Sequence, residues 1–307
     1  MPTPAVSVVV ATRNYGCYLA AALRSVVGQT WRDLEVIVID DGSTDDTPSV
    51  VRPFLDDPRV RYHRTDGLGQ SRAKNLGIQL SLAPLVAFLD GDDEWVPEKL
   101  ERQLPRFDNP AVGVVYSRRL LMDASGRELP TPAASPVRGH VYDHLLVQNF
   151  VCFSAVVVRR QVFEMVGLFD PNLSLGIDYE LWLRVARHYE FDYVDEPLVR
   201  YRTGHGNLSS RITERITSVL SVLRRSLVRR RNGETAGRAA QAEAWGSTCR
   251  TMGFVLRKSN PVAAAGWYLR AAHHDGCWLS SLKAIAGGFL RRSHLQSPSR
   301  ATPASAD

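Results

Sequence analysis

Cysteine is scarce in this sequence. Its 307 residues hold four, Cys17, Cys152, Cys249 and Cys277, with no C-x-x-C pair and no His at zinc-ligand spacing from two of them. That excludes a disulfide scaffold and fits a reduced, cytoplasmic compartment. Long apolar runs are missing as well. No stretch reaches the roughly 18 to 20 residues needed to span a bilayer, and even Val262–Leu269 is soon broken by charge and His. A basic segment ahead of the first apolar run is also absent, and Arg13 and Asn14 follow that run instead of a small-residue cleavage site, so it reads as a strand and not as a signal peptide. Acidic residues are few in one part only. Residues 203–307 carry 16 basic and 5 acidic side chains, a net +11, whereas residues 1–202 carry 22 and 27, a net −5. A hydrophobic content of 44% rules out disorder of the whole chain and provides for a sizeable core in one large or two modest domains.

Three short runs without polar alternation, Val6–Ala11, Leu34–Asp40 and Leu85–Asp90, have the pattern of strands buried on both faces. Between the first two, Leu19, Ala22, Leu23, Val26 and Val27 recur at helical spacing, which makes a β-α-β unit. The order repeats through a helix over 44–55, a strand over 59–63 and a helix over 69–80. The expected fold is α/β, a doubly wound and mainly parallel sheet. Beyond Asp90 the pattern predicts a helix over 98–107, a strand over 112–116, a Pro-, Ser- and Gly-rich loop over 124–140, a strand over 152–158, an amphipathic helix over 178–188 and a closing strand over 191–201. From Arg211 to about Arg292 the reading is helical, with breaks at 231–233, 260–261 and 275–276. The expected organisation is a catalytic domain over 1–210, a helical region over 211–292 and a disordered tail over 293–307.

Ligands of open α/β sheets sit beyond the carboxyl ends of the strands. There the sequence puts Ala11-Thr12-Arg13-Asn14, Asp40-Asp41-Gly42-Ser43 and Asp90-Gly91-Asp92-Asp93, so five carboxylates and an arginine gather at one edge. A turn followed by a helix cap accounts for Gly42 and Ser43 but not for two adjacent acids at a strand end. Asp90, Asp92 and Asp93 repel one another unless a cation or donors intervene, and a hard divalent ion takes carboxylate together with phosphate oxygen. A solvated acidic turn is the alternative, but the position directly after a buried strand favours the ion. The segment Asp66–Asn75 (DGLGQSRAKN) opens a helix just before the acidic strand, bringing glycines, helix N-terminal amides and the cations Arg72 and Lys74 to the same edge. Acids for a metal, with amides and cations for phosphate, describe a nucleotide-diphosphate site.

These runs, VSVVVATRNYGCYLAAALRSVVGQTWRDLEVIVIDDGSTDDT, GLGQSRAKNLGI, LVAFLDGDDEWVPEKL, GLFDPNLSLGIDYELWLRVAR and VRYRTGHGNLS, resemble the family 2 glycosyltransferases of GT-A fold over about residues 5–210. The resemblance implies a metal-dependent, inverting transfer from a nucleotide-diphospho-sugar, a UDP- or dTDP-sugar, to a glycan, lipid-linked or other hydroxyl acceptor in cell-surface polysaccharide or glycoconjugate assembly, with Mg2+ or Mn2+ as cofactor. It implies that Thr12 and Arg13 lie beside base and ribose, that Asp41 accepts from the base and Asp40 supports that loop, and that Lys74 approaches the diphosphate, with Arg72 counted beside it among the nucleotide-sugar-binding cations. Lys74 stands where the family usually has Arg, and a point charge does not reproduce a bidentate fork. Asp90 and Asp92 match the D-x-D element, near ribose and metal respectively, with Asp93 an alternative ligand. Asp178 becomes the catalytic base and also suits a helix N-cap. The acid that the family commonly has just before it is replaced by Ile177. His205 falls where relatives often have a His that reaches diphosphate or metal. Trp182 reads as core, and Trp95 is open between core and sugar stacking.

A dinucleotide-dependent oxidoreductase fails on the first turn, where Thr12-Arg13-Asn14-Tyr15-Gly16 lacks G-x-G-x-x-G. A non-catalytic nucleotide-binding or interaction protein on the same fold remains the alternative. The arginines at 224–225 and 229–231 lack an aromatic-interleaved sheet surface, which argues against nucleic acid. They suggest a peripheral membrane contact, on the cytoplasmic face of an inner membrane, or an acidic protein partner, outside the chemistry. Removal of 211–307 is therefore expected to change localisation or assembly more than donor binding.

Overall fold

The computed structural model describes residues 3–132, 137–206, 211–228 and 237–293. Strands β1 (Val6–Thr12), β2 (Leu34–Asp40), β3 (Val60–Arg64) and β4 (Leu85–Asp90) run parallel in the order β3-β2-β1-β4. The sheet then continues through β8 (Val157–Arg159), β6 (Val112–Met122) and β9 (Glu190–Arg202) to the two-residue β5 (Glu94–Trp95), and another short strand, β7 (Glu128–Leu129), pairs with β6. β8 is antiparallel to both of its neighbours, while β6 and β9 are parallel.

Alternate residues of each strand face opposite layers, so the sheet has a core on each side. Val8, Val10, Leu89, Val115 and Val157 pack with Leu19, Leu23 and Val26 of α1 (Gly16–Val27). Val9, Phe88, Val114 and Val158 face the other layer, which holds α7 (Ile177–Val185) with the fully buried Trp182. In α3 (Gln70–Leu80), Gly77 lies so close to β1 that a Cβ there would come 2.3 Å from Val9 Cγ1. Short helices fill the connections: α2 (Thr47–Val51), α4 (Lys99–Gln103), α5 (Tyr142–Val147) and α6 (Arg160–Val166). The C-terminal part is helical, with α8 (Ile212–Val228), α9 (Arg238–Leu256), α10 (Pro261–Asp275) and α11 (Trp278–Ser293). Val222 and Leu223 of α8 and Ala244 of α9 belong to the same buried cluster as Trp182 and Phe191, so these helices share the core of the sheet. Among the described residues no helix is long and apolar enough to cross a membrane.

Several expectations need correction. The predicted helix over 44–55 is only α2 followed by a 3-10 turn over Arg52–Asp56, where Pro53 removes a backbone donor. The predicted strand over 152–158 is a 3-10 turn at Phe153–Ala155 leading into a three-residue strand. Side chains, not strand neighbours, take its carbonyls: Trp95 Nε1 donates to Ser154 O and Gln103 Nε2 to Ala155 O. Trp95 is thereby buried structure and not a sugar platform. The expected tail lies outside the described residues beyond Ser293, as do the arginines at 229–231 and the break at 231–233.

Candidate active site

Register brings three strand ends level, with Thr12 opposite Asp40 and Ala11 opposite Asp90. A cleft of about 1560 Å3 opens there, and Thr12, Arg13, Asp41, Lys74, Asp90, Asp92, Asp178 and His205 all line it. Gly91 permits the close approach, because a Cβ at that position would sit 2.8 Å from Thr12 Oγ1. That hydroxyl is buried at the wall of the cleft and has no hydrogen-bond partner among the described residues.

The two acids after β2 build the rim. Asp40 is fully buried and accepts from Ser43 N at 2.8 Å and Tyr62 Oη at 2.6 Å; burial first, and then this bond, push the Tyr62 hydroxyl up to about 12. Asp41 accepts from Thr65 Oγ1, Leu68 N and Gly69 N at 2.8, 2.6 and 2.9 Å, and so pins the loop whose Gly67 and Gly69 have φ of 85° and 87°. Asp40 is therefore behind the cleft and Asp41 at its edge. Asn14 holds φ 58°, a left-handed conformation unusual outside glycine, and its amide and side-chain oxygen are engaged by Ser43 Oγ and Thr44 N.

The three acids of the loop after β4 have separate partners. Lys74 Nζ lies 2.9 Å from Asp90 Oδ1 and 3.9 Å from the centre of the Phe153 ring, in a nearly buried position. His205 Nε2 lies 2.8 Å from Asp92 Oδ2, and the imidazole is bracketed edge-on by Tyr15 and Tyr18 at 5.7 and 5.1 Å between ring centres. Burial, then the charge of Asp90, raise the Asp92 carboxyl above its ordinary range, while His205 pulls it back. Asp93 accepts from Ser154 Oγ at 2.5 Å and Arg202 N at 2.8 Å, and complete burial followed by repulsion from Asp92 and Asp90 holds it well above the usual range. Both oxygens of Asp93 thus face the fold, which corrects its reading as an alternative metal ligand. Arg202 closes the loop from behind, donating from Nε to Asp92 O and from Nη2 to Glu94, with its guanidinium 4.6 Å above the Tyr18 ring.

Arg72 departs from expectation. It is exposed and does not line the cleft, because two residues along a helix turn the side chain about 200° away from the face that carries Lys74. His205 meets Asp92 although 113 residues separate them.

Asp178 lines the same cleft, within reach of the Lys74 charge. The helix cap is Gly176, at φ 68°, so Asp178 is the second residue of α7 and not its N-cap. Asn149 Nδ2 donates to Asp178 Oδ2 at 2.9 Å. Burial raises the Asp178 carboxyl above its ordinary range, and Asn149 and the Lys74 charge offset part of that. The loop before Asp178 is tied from three sides: Ser71 Oγ donates to Leu173 O at 2.8 Å, Gln70 Nε2 donates to Ser174 O, and Ser218 Oγ of α8 donates to Leu175 O. Arg225 of α8 pairs with Asp170 at 2.8 Å.

Sequence reasoning did not single out Tyr15, Tyr18, Asn149, Ser154, Arg202 or Ser218. The aromatic pair Tyr15 and Tyr18 just ahead of Leu19 and the Arg just ahead of Thr203-Gly204-His205 were visible signals, but Asn149 and Ser218 carry none. The C-terminal helices are not outside the site: Arg211, Arg215, Ile216 and Val219 of the α8 region and Ser247, Thr248 and Thr251 of α9 line the same cleft.

A divalent ion fits this geometry as a partial donor set. Asp92 oxygen and His205 nitrogen adjoin at the cleft wall, and His205 Nδ1 is buried without a partner among the described residues. No group of three metal-ligating side chains occurs among the described residues, so the phosphate oxygens of a ligand would complete the shell.

Comparison with known proteins adds the context. The model of the family described as glycosyl transferase family 2 matches residues 7–166. A protein of Rickettsia felis named an uncharacterized glycosyltransferase is 27% identical over 201 residues, 66% of this chain and 33% of the relative. The chain therefore spans about a third of that curated relative's length. Among solved structures, residues 1–349 of TarS from S. aureus superpose with a TM-score of 0.68 at 16% identity, covering 95% of this chain and 91% of that one. The mannosyltransferase PcManGT of Pyrobaculum calidifontis, in complex with GDP-Man and Mn2+, superposes at 0.61 and 15% identity, covering 97% and 89%. At these identities the structural likeness speaks for the fold.

Proposed function

This chain belongs to glycosyl transferase family 2, and from that premise we propose that it moves a sugar from a nucleotide-diphospho-sugar to an acceptor hydroxyl with inversion at the anomeric carbon. One observation carries the reading. A single cleft is lined by the Lys74–Asp90 and Asp92–His205 pairs together with Asp178, a carboxylate whose proton affinity is raised.

Thr12 Oγ1 and the rim held by Asp41 receive base and ribose, and Arg13 and Lys74 offset diphosphate charge. Asp178 accepts the proton of the acceptor hydroxyl as its oxygen attacks the anomeric carbon, and the nucleoside diphosphate departs from the opposite face. A raised carboxylate suits this work because a stronger base takes the proton more readily. Asp92 and His205 would hold Mg2+ or Mn2+, which supplies charge stabilisation to the departing diphosphate when bound. Mn2+ in PcManGT supports the metal, and the UDP-GlcNAc and GDP-Man complexes of the two structural relatives support the donor class. A role in cell-surface polysaccharide or glycoconjugate assembly, at the cytoplasmic face of a membrane, suits the +11 charge of residues 203–307.

The test is transfer and donor hydrolysis with Mn2+ across UDP-, dTDP- and GDP-sugars, with product anomeric configuration read by NMR. Asp178→Asn is expected to abolish transfer and keep nucleotide binding, and Asp92→Ala to abolish the Mn2+-dependent rise in melting temperature produced by the cognate diphosphate. Nucleotide binding without any turnover would favour the non-catalytic alternative. Full activity of Asp92→Ala would overturn the metal reading.

A further inference from the structure

At about 1560 Å3 the cleft exceeds the roughly 300 to 1,000 Å3 usual for one small-molecule site, so room remains once a donor is seated. Its charged lining divides by origin. The strand-end wall carries Arg13 and Lys74 against Asp41, Asp90 and Asp92, which is close to balance. The rest of the charged lining is Arg119 of β6 and Arg211 and Arg215 from the α8 region, with the single carboxylate Asp178.

These three arginines are poorly neutralised by the protein. Arg215 has no carboxylate within ion-pair distance among the described residues, and Arg211 has only the exposed Glu214 at 3.6 Å, a contact of little strength in water. Arg119 places its guanidinium 5.0 Å from the centre of the Tyr201 ring and beside the Cys152 thiol, which burial pushes up to about 11, and the one carboxylate charge that reaches it, that of Asp93, acts more weakly than either. Arg211 and Arg215 are spaced i, i+4 at the start of α8, so they present on one face. Guanidinium forks match phosphate oxygens in pairs, and concentrated cations without internal partners attract an anion from solution.

Resting on the transfer reading above, we propose that the acceptor is a phosphate-bearing polyol or sugar, held through its phosphate by Arg119, Arg211 and Arg215 while its hydroxyl faces Asp178. The C-terminal helices then form half of the acceptor site. The phosphate belongs either to a soluble phosphodiester chain or to a lipid headgroup, and the two differ only in what lies beyond the phosphate.

The experiment titrates the full chain by calorimetry with glycerophosphoglycerol, with glucuronate as a carboxylate control, and by co-sedimentation with phosphatidylglycerol vesicles. Each titration is run with and without Mn2+ and UDP, dTDP or GDP, whose own binding is measured separately. The soluble phosphodiester is expected to bind at least tenfold tighter than glucuronate. Arg119→Gln with Arg215→Gln is expected to weaken it at least tenfold, with partial recovery in the corresponding Lys variants and nucleoside diphosphate affinity within twofold of the parent. Binding confined to vesicles and lost in the same double variant would assign the lipid source. Absence of both, or equal binding by parent and double variant, would overturn the proposal even where the diphosphate binds. Failure of every diphosphate to bind would overturn the donor reading instead.

Discussion

Ser218 Oγ donates to the carbonyl of Leu175 at 2.5 Å, joining the first of the C-terminal helices to the turn that delivers Asp178. Gly176, between them, holds φ 68°, and a Cβ there would lie 3.2 Å from the same hydroxyl. The turn is therefore shaped by α8 as much as by α3. Ser218→Ala is expected to lower kcat severalfold with a small change in melting temperature, because one hydrogen bond contributes about 1 kcal/mol but controls where the base sits. Truncation at residue 210 is expected to do more than change localisation. It strips Val222, Leu223 and Ala244 from the core, and Leu223→Ala alone is expected to cost about 2 to 5 kcal/mol in urea unfolding. A soluble, nucleotide-binding 1–210 fragment would contradict this.

The Asp178 carboxyl is raised chiefly by burial, and Asn149 donates to its charged form. The acidic limb of the kcat profile is accordingly expected above the ordinary carboxylate value of about 4. Asn149→Ala removes a bond that favours the charged form, so the limb shifts further towards neutral pH while the basic limb stays. A shift towards lower pH, or none, would show that another group controls the acidic limb.

The strand ends of the site were legible in the sequence because each follows a buried β-branched run, and parallel pairing fixes where such runs stop. Thr12, Asp40 and Asp90 could be placed on one edge for that reason. Their division of labour was not legible. Whether Asp92 or Asp93 faces the cleft depends on Ser154 and Arg202, 61 and 109 residues from Asp93, reaching it from other layers. Arg72 was misassigned because composition near a helix start does not say which side faces the ligand. The C-terminal helices were set apart on their charge and because the family resemblance ends near residue 210, although the apolar side chains of α8 that enter the core were present in the same segment.

Lys74 compensates Asp90 and lies close enough to Asp178 to lower its proton affinity. Lys74→Met is expected to weaken nucleoside diphosphate binding at least tenfold and to move the acidic limb of kcat upward in pH. Lys74→Arg, with a fork in place of a point charge, is expected to retain a measurable part of the binding. Unchanged diphosphate affinity in Lys74→Met would show that the ammonium serves only the fold.

Asp93 carries a stability prediction whose sign follows from its environment. Burial and the neighbouring Asp92 and Asp90 raise its folded pKa, so between the ordinary value and the raised one the native state holds a proton that the unfolded chain has released. Its contribution to stability is thus most favourable below about pH 4 and is lost as pH rises through the folded pKa. Asp93→Asn cannot ionise, and its side-chain oxygen can still accept from Arg202 N while the Ser154 hydroxyl rotates to accept from the new amide. In EDTA, urea unfolding from pH 4 to 8 is expected to show a shallower decline for the variant and equal or greater stability at pH 7. A variant less stable than the parent by more than about 1 kcal/mol at pH 7 would mean that the charged Asp93 is favoured through its two hydrogen bonds, which would place it among the groups that hold the acidic loop together by ionising.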